Sequence, residues 1–238
     1  MSTSPTGSAT SGAGSPRYGD SGHYDQTYFD WQDVSQRVTR DLYVPRVRPY
    51  VTDQDVVLDF GCAGGWMLDA LPGRRKIGVE INDVARDSAR SQFGIETYRT
   101  LDDTPGEVAD VIVSSHTLEH LASPYDALEQ LRRKVRPGGR LVLLLPLDDW
   151  RVQARYDPDD FDRHLYTWTP RLLGNLLDEA GWTPGELRVL HRATMRGFER
   201  FLRLPRPLFE AASSVWSRVR HRQEILAVST PKVTQGPN

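Results

Sequence analysis

The stretch VVLDFGCAGG, from Val56 to Gly65, restricts the fold more than any other part of the chain. It joins a short apolar run, typical of a buried strand, directly to a glycine-rich turn. The segment GWMLDALP that overlaps the end of the turn predicts a helix. A strand, a glycine turn and a helix place a ligand at the carboxyl edge of a sheet, beside the helix N-terminus. The turn lacks the lysine and the serine or threonine of a phosphate loop, so a ligand other than phosphate is indicated.

Strand-like and helix-like segments alternate after this turn. The predicted strands lie in KIGVEIN, IETYRT, ADVIVSSH and RLVLLLP, and the predicted helices lie in DVARDSARSQF and SPYDALEQLRRKV. The intervening RPGG is predicted to be a turn. Such alternation indicates βαβ units, in which helices cover both faces of a parallel sheet.

The last third of the chain predicts a helix, a strand, a longer helical excursion and a final strand. The first helix, in TPRLLGNLLDEAGW, has a threonine cap and a glycine stop. The strands lie in GELRVLHRA and QEILAVSTP, and the excursion between them is broken around Pro205 and Pro207. This order indicates an antiparallel addition to one end of the sheet.

The N-terminal part of the chain predicts two regions outside this sheet. Residues 1–20 are rich in small and polar side chains and almost lack bulky apolar ones, so we predict a disordered tail, with a tether as the alternative. Residues 21–50 predict a helical cap in two pieces, broken at Pro45 and Pro49. Its aromatic side chains either pack on the domain edge or form a lid over a pocket.

The second predicted strand runs into Glu80, nineteen residues after Gly61. A carboxylate at this place accepts hydrogen bonds from the two hydroxyls of a ribose. A dinucleotide would require the spacing G-x-G-x-x-G, whereas the turn reads GCAGG. The pattern therefore favours a nucleoside that carries no pyrophosphate.

Four motifs resemble those of class I S-adenosylmethionine (SAM)-dependent methyltransferases, in particular the small-molecule, type 11/23-like branch. VVLDFGCAGG with GVEI resembles motif I and the acidic position after it, and ADVIVSSHTLEHL resembles the fourth-strand motif of that branch. LRRKVRPGGRLVLLLP and RHLYTWTPRLLGNLLDEAGW resemble the two segments that follow. The resemblance covers about residues 50–185. It implies an α/β, Rossmann-like, doubly wound and mostly parallel seven-stranded sheet with an antiparallel C-terminal strand and helices on both faces.

The resemblance also implies a site for SAM, with S-adenosyl-L-homocysteine as the product. The residues it assigns to this site are Asp59, Gly61, Cys62, Ala63, Gly65, Glu80, Ile81, Leu101, Asp102, Ser115 and His116. Gly61 and Gly65 would pass close to the methionine moiety, and Asp59 would help hold its amino end. Glu80 matches the ribose-binding acid, and Ile81 would pack on adenine.

The remaining positions of this site are assigned more coarsely. Ala63 stands where many members have glycine, and we expect it to be tolerated in an ordinary backbone conformation. The contact to the adenine edge falls near Leu101 and Asp102, and Ser115 and His116 would border the methyl-donor pocket.

Methyl transfer from a sulfonium is an in-line displacement, in which the protein mainly aligns the acceptor and the methyl group. A hydroxyl or ammonium acceptor must also lose a proton, and histidine suits this task near neutral pH. The candidate catalytic bases are His164, which follows the fifth strand and is preferred, and His116. We interpret Cys62 as a small residue that fills the turn, and Glu119 with His120 either as a structural pair or as part of the site.

The segment YDPDDFDRHLYTW is rich in acids, but its spacing matches no standard metal-ligand motif, so we predict no metal site. The single cysteine excludes an internal disulfide. No apolar stretch approaches the roughly 18 to 20 residues of a membrane span, and the N-terminus lacks the pattern of a signal peptide. We therefore predict a cytoplasmic protein.

Basic residues are concentrated near the C-terminus, although the formal net charge of the chain is only -2. We assign residues 51–238 to the methyltransferase domain and about 195–222 to a basic helical insertion, in which arginines alternate with aromatic and aliphatic side chains. The insertion is either a helical cover with its arginines in solvent, or a surface for an anionic acceptor or an anionic membrane.

The function favoured by the sequence is methylation of a small molecule, such as a sugar or a natural-product intermediate, by a monomer or homodimer. No nucleic-acid partner is expected, because the chain has neither a strong positive charge nor an RNA-binding module. The alternatives are methylation of RNA or protein and a non-catalytic scaffold with this fold. The glycine turn and Glu80 argue against a scaffold.

Overall fold

The computed structural model describes seven stretches of the chain: residues 29, 40, 42–149, 154–157, 163–191, 205–220 and 222–233. The predicted disordered tail, most of the predicted helical cap and the first part of the basic insertion lie outside these residues. The domain boundaries predicted there stay predictions.

Seven strands form one sheet in the order β3-β2-β1-β4-β5-β7-β6. They are β1 (Val56–Phe60), β2 (Arg75–Val79), β3 (Glu96–Tyr98), β4 (Ala109–Ser115), β5 (Val135–Asp148), β6 (Trp182–His191) and β7 (Arg222–Pro231). The first five strands pair in parallel, and β7 runs antiparallel to both of its neighbours, β5 and β6. The predicted doubly wound sheet with an antiparallel C-terminal strand is therefore confirmed.

Helices cover both faces of the sheet. They are α1 (42–47), α2 (Trp66–Ala70), α3 (Asp83–Phe93), α4 (Pro124–Arg132), α5 (Pro170–Glu179) and α6 (Arg206–Val219), with short 3-10 turns at Arg48–Tyr50 and Leu118–His120. The starts of α3, α4 and α5 follow from capping side chains. Asn82 accepts from the backbone N–H of Val84 at 2.9 Å, and Ser123 and the predicted Thr169 cap α4 and α5 in the same way.

Alternate residues of the central strands point to opposite faces and build two apolar layers. Leu58 and Ile112 belong to the layer beneath α4 and α5, whereas their neighbours Val57 and Val111 belong to the layer beneath α1, α2 and α3. All four side chains are buried. Because both faces are buried, the sequences of these strands are continuous apolar runs. The covered faces leave the carboxyl ends of the strands as the place where a ligand can bind.

Two local predictions were wrong. Pro45 lies inside α1 and does not break it, because the fixed φ of proline is compatible with a helix and its missing N–H removes only one bond. The predicted RPGG turn lies inside β5. Ala109 pairs with Val135 and Val111 with Arg140, so RPGG bulges out while pairing resumes on both sides.

Helix α6 has an unusual distribution of buried and exposed side chains. Phe209, Ser213 and Ser217 are buried, whereas Leu208 and Val215 are 58% and 60% exposed. The helix therefore turns two serines inward and leaves an apolar stripe in solvent, which is the reverse of an ordinary amphipathic helix.

Within the described stretches, no helix combines the length and the apolar character needed to cross a bilayer.

Candidate active site

The glycine turn after β1 is shaped by the protein's own packing. Gly61 has a φ of +82°, and a Cβ on it would lie 2.2 Å from Thr117 Oγ1. Gly65 has a φ of +84°, and a Cβ on it would lie 2.7 Å from Ile95 Cδ1. Both positions require glycine whether or not a ligand is bound. The turn therefore rests directly on the segment that follows β4.

Ala63 corrects one expectation from the sequence. Its φ is +44°, in the left-handed region, and not in an ordinary conformation. The reason is a hydrogen bond that the Ala63 N–H donates to Glu80 Oε2 at 2.9 Å. The turn is thus bent so that a backbone donor points at the acid of β2.

Glu80 connects the turn with the start of α3. Its Oε1 accepts from the Asn82 N–H at 2.9 Å, while burial raises the pKa of its carboxyl despite these backbone hydrogen bonds. A carboxylate offers about four acceptor positions, so capacity remains for a ribose hydroxyl. The residues present fit the nucleoside that the sequence pattern indicates.

Asp59 is the second acid of this site. It is only 1% exposed, and its Oδ1 has no hydrogen-bond partner among the residues that the structure describes. Burial, together with the nearby charge of Glu80, raises the pKa of Asp59 to about 8. A buried acceptor without a partner fits the positively charged amino end of a bound methionine moiety.

Cys62 lies inside the turn, where its Sγ occupies the space that a Cβ on Gly78 would need. It is buried, and burial and the charges of Asp59 and Glu80 raise the pKa of its thiol well above its usual value. The thiol stays protonated, so Cys62 acts as a packing residue and not as a nucleophile.

The residues predicted to contact adenine lie at the neighbouring strand ends. The Glu80 N–H donates to Tyr98 O at 3.0 Å, which places half-buried Ile81 next to the end of β3. Leu101 is buried and Asp102 is exposed in the turn that follows β3. The structure therefore places these three residues around the end of β3.

His116 lies directly after Ser115, the last residue of β4, and adopts a left-handed φ of +52°. Its Nδ1 lies 3.4 Å from Glu119 Oε1, and its Nε2 lies 3.4 Å from Glu224 Oε1. Burial favours the neutral ring, but the two nearby carboxylates raise the pKa of His116 to about 9. A raised pKa favours the protonated imidazole, which cannot accept a proton, so His164 stays the preferred candidate base.

Glu224 was not predicted from the sequence. It lies near the start of β7, opposite Pro146 of β5, is fully buried, and accepts a hydrogen bond from Tyr43 Oη at 3.1 Å. It also forms an ion pair with Arg46, whose Nη2 donates to His191 O at 2.8 Å. The ring of Tyr43 stacks on His116 with centroids 5.4 Å apart. The signal available was an acid that directly precedes the apolar run ILAV in the predicted strand QEILAVSTP.

His164, the preferred base, lies on the other side of Glu119. Its ring meets the ring of His120 edge-on, with centroids 4.8 Å apart. The N–H groups of Leu165 and Tyr166 donate to Glu119 O at 2.8 and 3.2 Å, which fixes the segment that carries His164. The structure therefore gathers both predicted bases around one buried carboxylate.

The sequence matches the family described as "Methyltransferase domain" over residues 33–187, which is more than half of the chain. The chain belongs to this family. Together with the strand order and the glycine turn, the match confirms the predicted class, a class I methyltransferase domain.

Individual relatives differ in what they act on. The trans-aconitate 2-methyltransferase of Azoarcus sp. is 28% identical over 51% of this chain and 50% of its own length. The tRNA U34 carboxymethyltransferase of Hydrogenovibrio crunogenus is 28% identical over 58% of this chain and 48% of its own length. The chain spans half or less of the length of the curated relatives it matches.

Solved structures share the fold at low identity. The geranyl diphosphate C-methyltransferase from Streptomyces coelicolor A3(2) superimposes with a TM-score of 0.59 at 14% identity, covering 82% of this chain and 77% of that protein. At this identity the likeness concerns the fold alone.

Proposed function

We propose that the protein transfers the methyl group of SAM to a small-molecule acceptor that binds beside Glu119 and His164. The observation that carries this proposal is the buried Glu119 carboxylate, which lies between His116 and the two other histidines close to the donor turn. Titratable groups gathered at the carboxyl edge of a sheet are typical of a site where a proton must leave the substrate.

SAM supplies a methyl group that is already activated on a sulfonium. The chain therefore has to bind the donor, orient the acceptor and remove the acceptor's proton. Glu80 and Asp59 hold the donor. The acceptor oxygen or nitrogen attacks the methyl carbon in line, and the electron pair of the carbon–sulfur bond stays on sulfur. The proton of the acceptor leaves on the side of Glu119, His120 and His164, because the raised pKa of His116 favours its protonated form.

An anionic acceptor is favoured by the charges at the far end of this edge. Burial and the positive charges of Arg218 and Arg46 lower the pKa of His191, which ends β6. Arg46 is paired with Glu224, so Arg218 supplies the positive charge at that position that attracts phosphate or carboxylate groups. We therefore favour an anionic small molecule, such as a phosphorylated or nucleotide-linked sugar.

The donor half is tested by calorimetric titration of SAM and S-adenosyl-L-homocysteine into the wild type and Glu80→Ala. We expect Glu80→Ala to weaken binding at least about tenfold, because the ribose hydroxyls and the Ala63 N–H lose their acceptor. The matched control is Glu96→Ala, which removes an exposed carboxylate paired with Arg75. Equal affinities in all three proteins would remove Glu80 from the donor site.

The acceptor half is tested with radiolabelled SAM and a panel of anionic small molecules. His164→Ala is expected to lower turnover far more than donor affinity, and unchanged turnover would remove His164 from the reaction. RNA is the second candidate acceptor, because tRNA U34 carboxymethyltransferases are among the relatives. Label transfer to bulk tRNA that falls steeply with salt, with none to the small molecules, would favour RNA.

A further inference from the structure

Three potential metal ligands meet next to the donor turn. Glu119, His120 and His164 each offer a ligand atom, and these atoms all lie within 4.8 Å of one another. Glu119 and His120 come from the 3-10 turn after β4, whereas His164 comes from the segment after β5. No single stretch of sequence contains this group, so the spacing of YDPDDFDRHLYTW could not reveal it.

The Glu119 carboxylate has histidine neighbours, but it has no hydrogen-bond partner among the described residues. Its relative exposure is 0%, and neither oxygen accepts a hydrogen bond from any part of the chain that the structure describes. Its neighbour His116 contacts only Oε1, at 3.4 Å, which is longer than a charge-assisted hydrogen bond. A buried carboxylate left in this state indicates a bound ion or ordered water.

The ligands are also held in place by the backbone. Besides the two N–H groups that bind Glu119 O, Tyr166 Oη donates to Ala122 O at 3.0 Å. The segment around His164 is therefore fastened to the 3-10 turn and to the loop that follows it. A site that is held before the ion arrives loses little freedom on binding it.

We propose that Glu119, His120 and His164 bind a divalent transition-metal ion, with zinc as the first choice. Two imidazoles and one carboxylate suit zinc, cobalt, manganese or iron(II), whereas magnesium and calcium prefer oxygen ligands alone. Three protein ligands leave coordination positions open. His120 and His164 are only half-buried, so an acceptor can reach the ion from solvent.

This inference rests on the proposed function and specifies how the acceptor loses its proton. A hydroxyl bound to the ion has a lowered pKa and releases its proton to solvent. The resulting oxygen anion forms a bond to the methyl carbon of SAM, the carbon–sulfur bond breaks, and its electron pair remains on the departing sulfur. No oxidant or reductant is needed.

The test is calorimetric titration of Zn²⁺ into the full chain, prepared without an affinity tag and stripped with a chelator. We expect one ion per chain with a micromolar or tighter Kd, about tenfold or more weaker in His164→Asn. His191→Asn serves as the control, because His191 is also half-buried at the end of a strand but lies outside the group. Co²⁺ gives a second readout through its visible absorption, which reports nitrogen and oxygen ligands directly.

Absence of Zn²⁺ binding up to about 1 mM would overturn the proposal, as would equal binding by the wild type and His164→Asn. Glu119→Gln changes the third ligand but puts an amide in a buried position. If the Glu119→Gln protein fails to fold, His120→Asn serves as the second variant. SAM binding is measured on every protein. Wild type that binds SAM but no metal contradicts only the metal site, whereas wild type that binds no SAM contradicts the proposed function itself.

Discussion

Asp59 makes donor binding depend on pH. With a pKa of about 8, its carboxyl is protonated in the free protein at neutral pH. An ammonium group placed beside it favours the ionised form, so binding of SAM releases a proton. The affinity for SAM therefore rises as the pH increases towards 8, by at most about tenfold per pH unit.

This expectation is checked by calorimetry between pH 5.5 and 7.5 in two buffers of different ionisation enthalpy. The wild type should show proton release and an affinity that increases with pH. Asp59→Asn cannot ionise and should give a flat profile over the same range. A wild-type profile as flat as that of Asp59→Asn would show that Asp59 does not face the ammonium.

At the scale of single elements, the buried pair of Arg46 and Glu224 fastens α1 to β7. Glu224→Gln leaves the Arg46 guanidinium without its counter-charge in a mostly buried place, and we expect it to lower the free energy of unfolding by about 3 kcal/mol. The matched change is Glu96→Gln on β3, whose pair with Arg75 is exposed on both sides and should cost less than about 1 kcal/mol. Urea denaturation of the three proteins measures both values, and equal losses would contradict the anchoring role.

The elements themselves could be predicted from the sequence where their cause is local. The bounds of α3 follow from the periodicity of DVARDSARSQF and its Asn82 cap, and β1 follows from an apolar run that ends in glycine. The left-handed Ala63 could not be predicted, because its cause is a carboxylate 17 residues away. The bond between Tyr43 and Glu224 joins residues 181 positions apart, and no local pattern contains that information.

The same limit applies to the candidate site. Asp59, the glycine turn and Glu80 were predicted because they belong to one strand–turn–strand unit. Glu119 and His120 follow β4, whereas His164 follows β5 and reaches them only in the folded protein. The sequence therefore indicated each residue separately but did not predict that they lie together. His164 was proposed as a base without the neighbours that now define its chemistry.

At the scale of the whole molecule, α6 bears on the predicted contact with an anionic membrane. Its stripe of Leu208, Val215 and Val219 is exposed and adjoins exposed Arg218 and Arg220. Apolar side chains beside arginines are the combination that binds the surface of a charged bilayer. We expect the protein to sediment with vesicles that contain phosphatidylglycerol and not with vesicles of phosphatidylcholine alone.

The variant that tests this surface is Val215→Glu, which should reduce sedimentation with the anionic vesicles several-fold. Leu172→Glu is the control, since Leu172 is similarly exposed but lies on α5. Failure of the wild type to bind anionic vesicles at low salt would exclude membrane contact through α6. Light scattering on the same samples shows whether the stripe instead pairs two copies of the chain.

The 3-10 turn at Leu118–His120 lies between the donor-binding residues and the segment around His164. These two parts of the chain can change independently in evolution. Everything that Glu80 and Asp59 assemble is complete before this turn, and the segment around His164 is attached to it through two backbone N–H groups, the Tyr166 hydroxyl and buried Trp168. The two backbone bonds do not depend on side-chain identity, so exposed side chains of that segment can be exchanged while the donor site is kept. A gene family built in this way can acquire new acceptors by changing the exposed side chains of one stretch of chain.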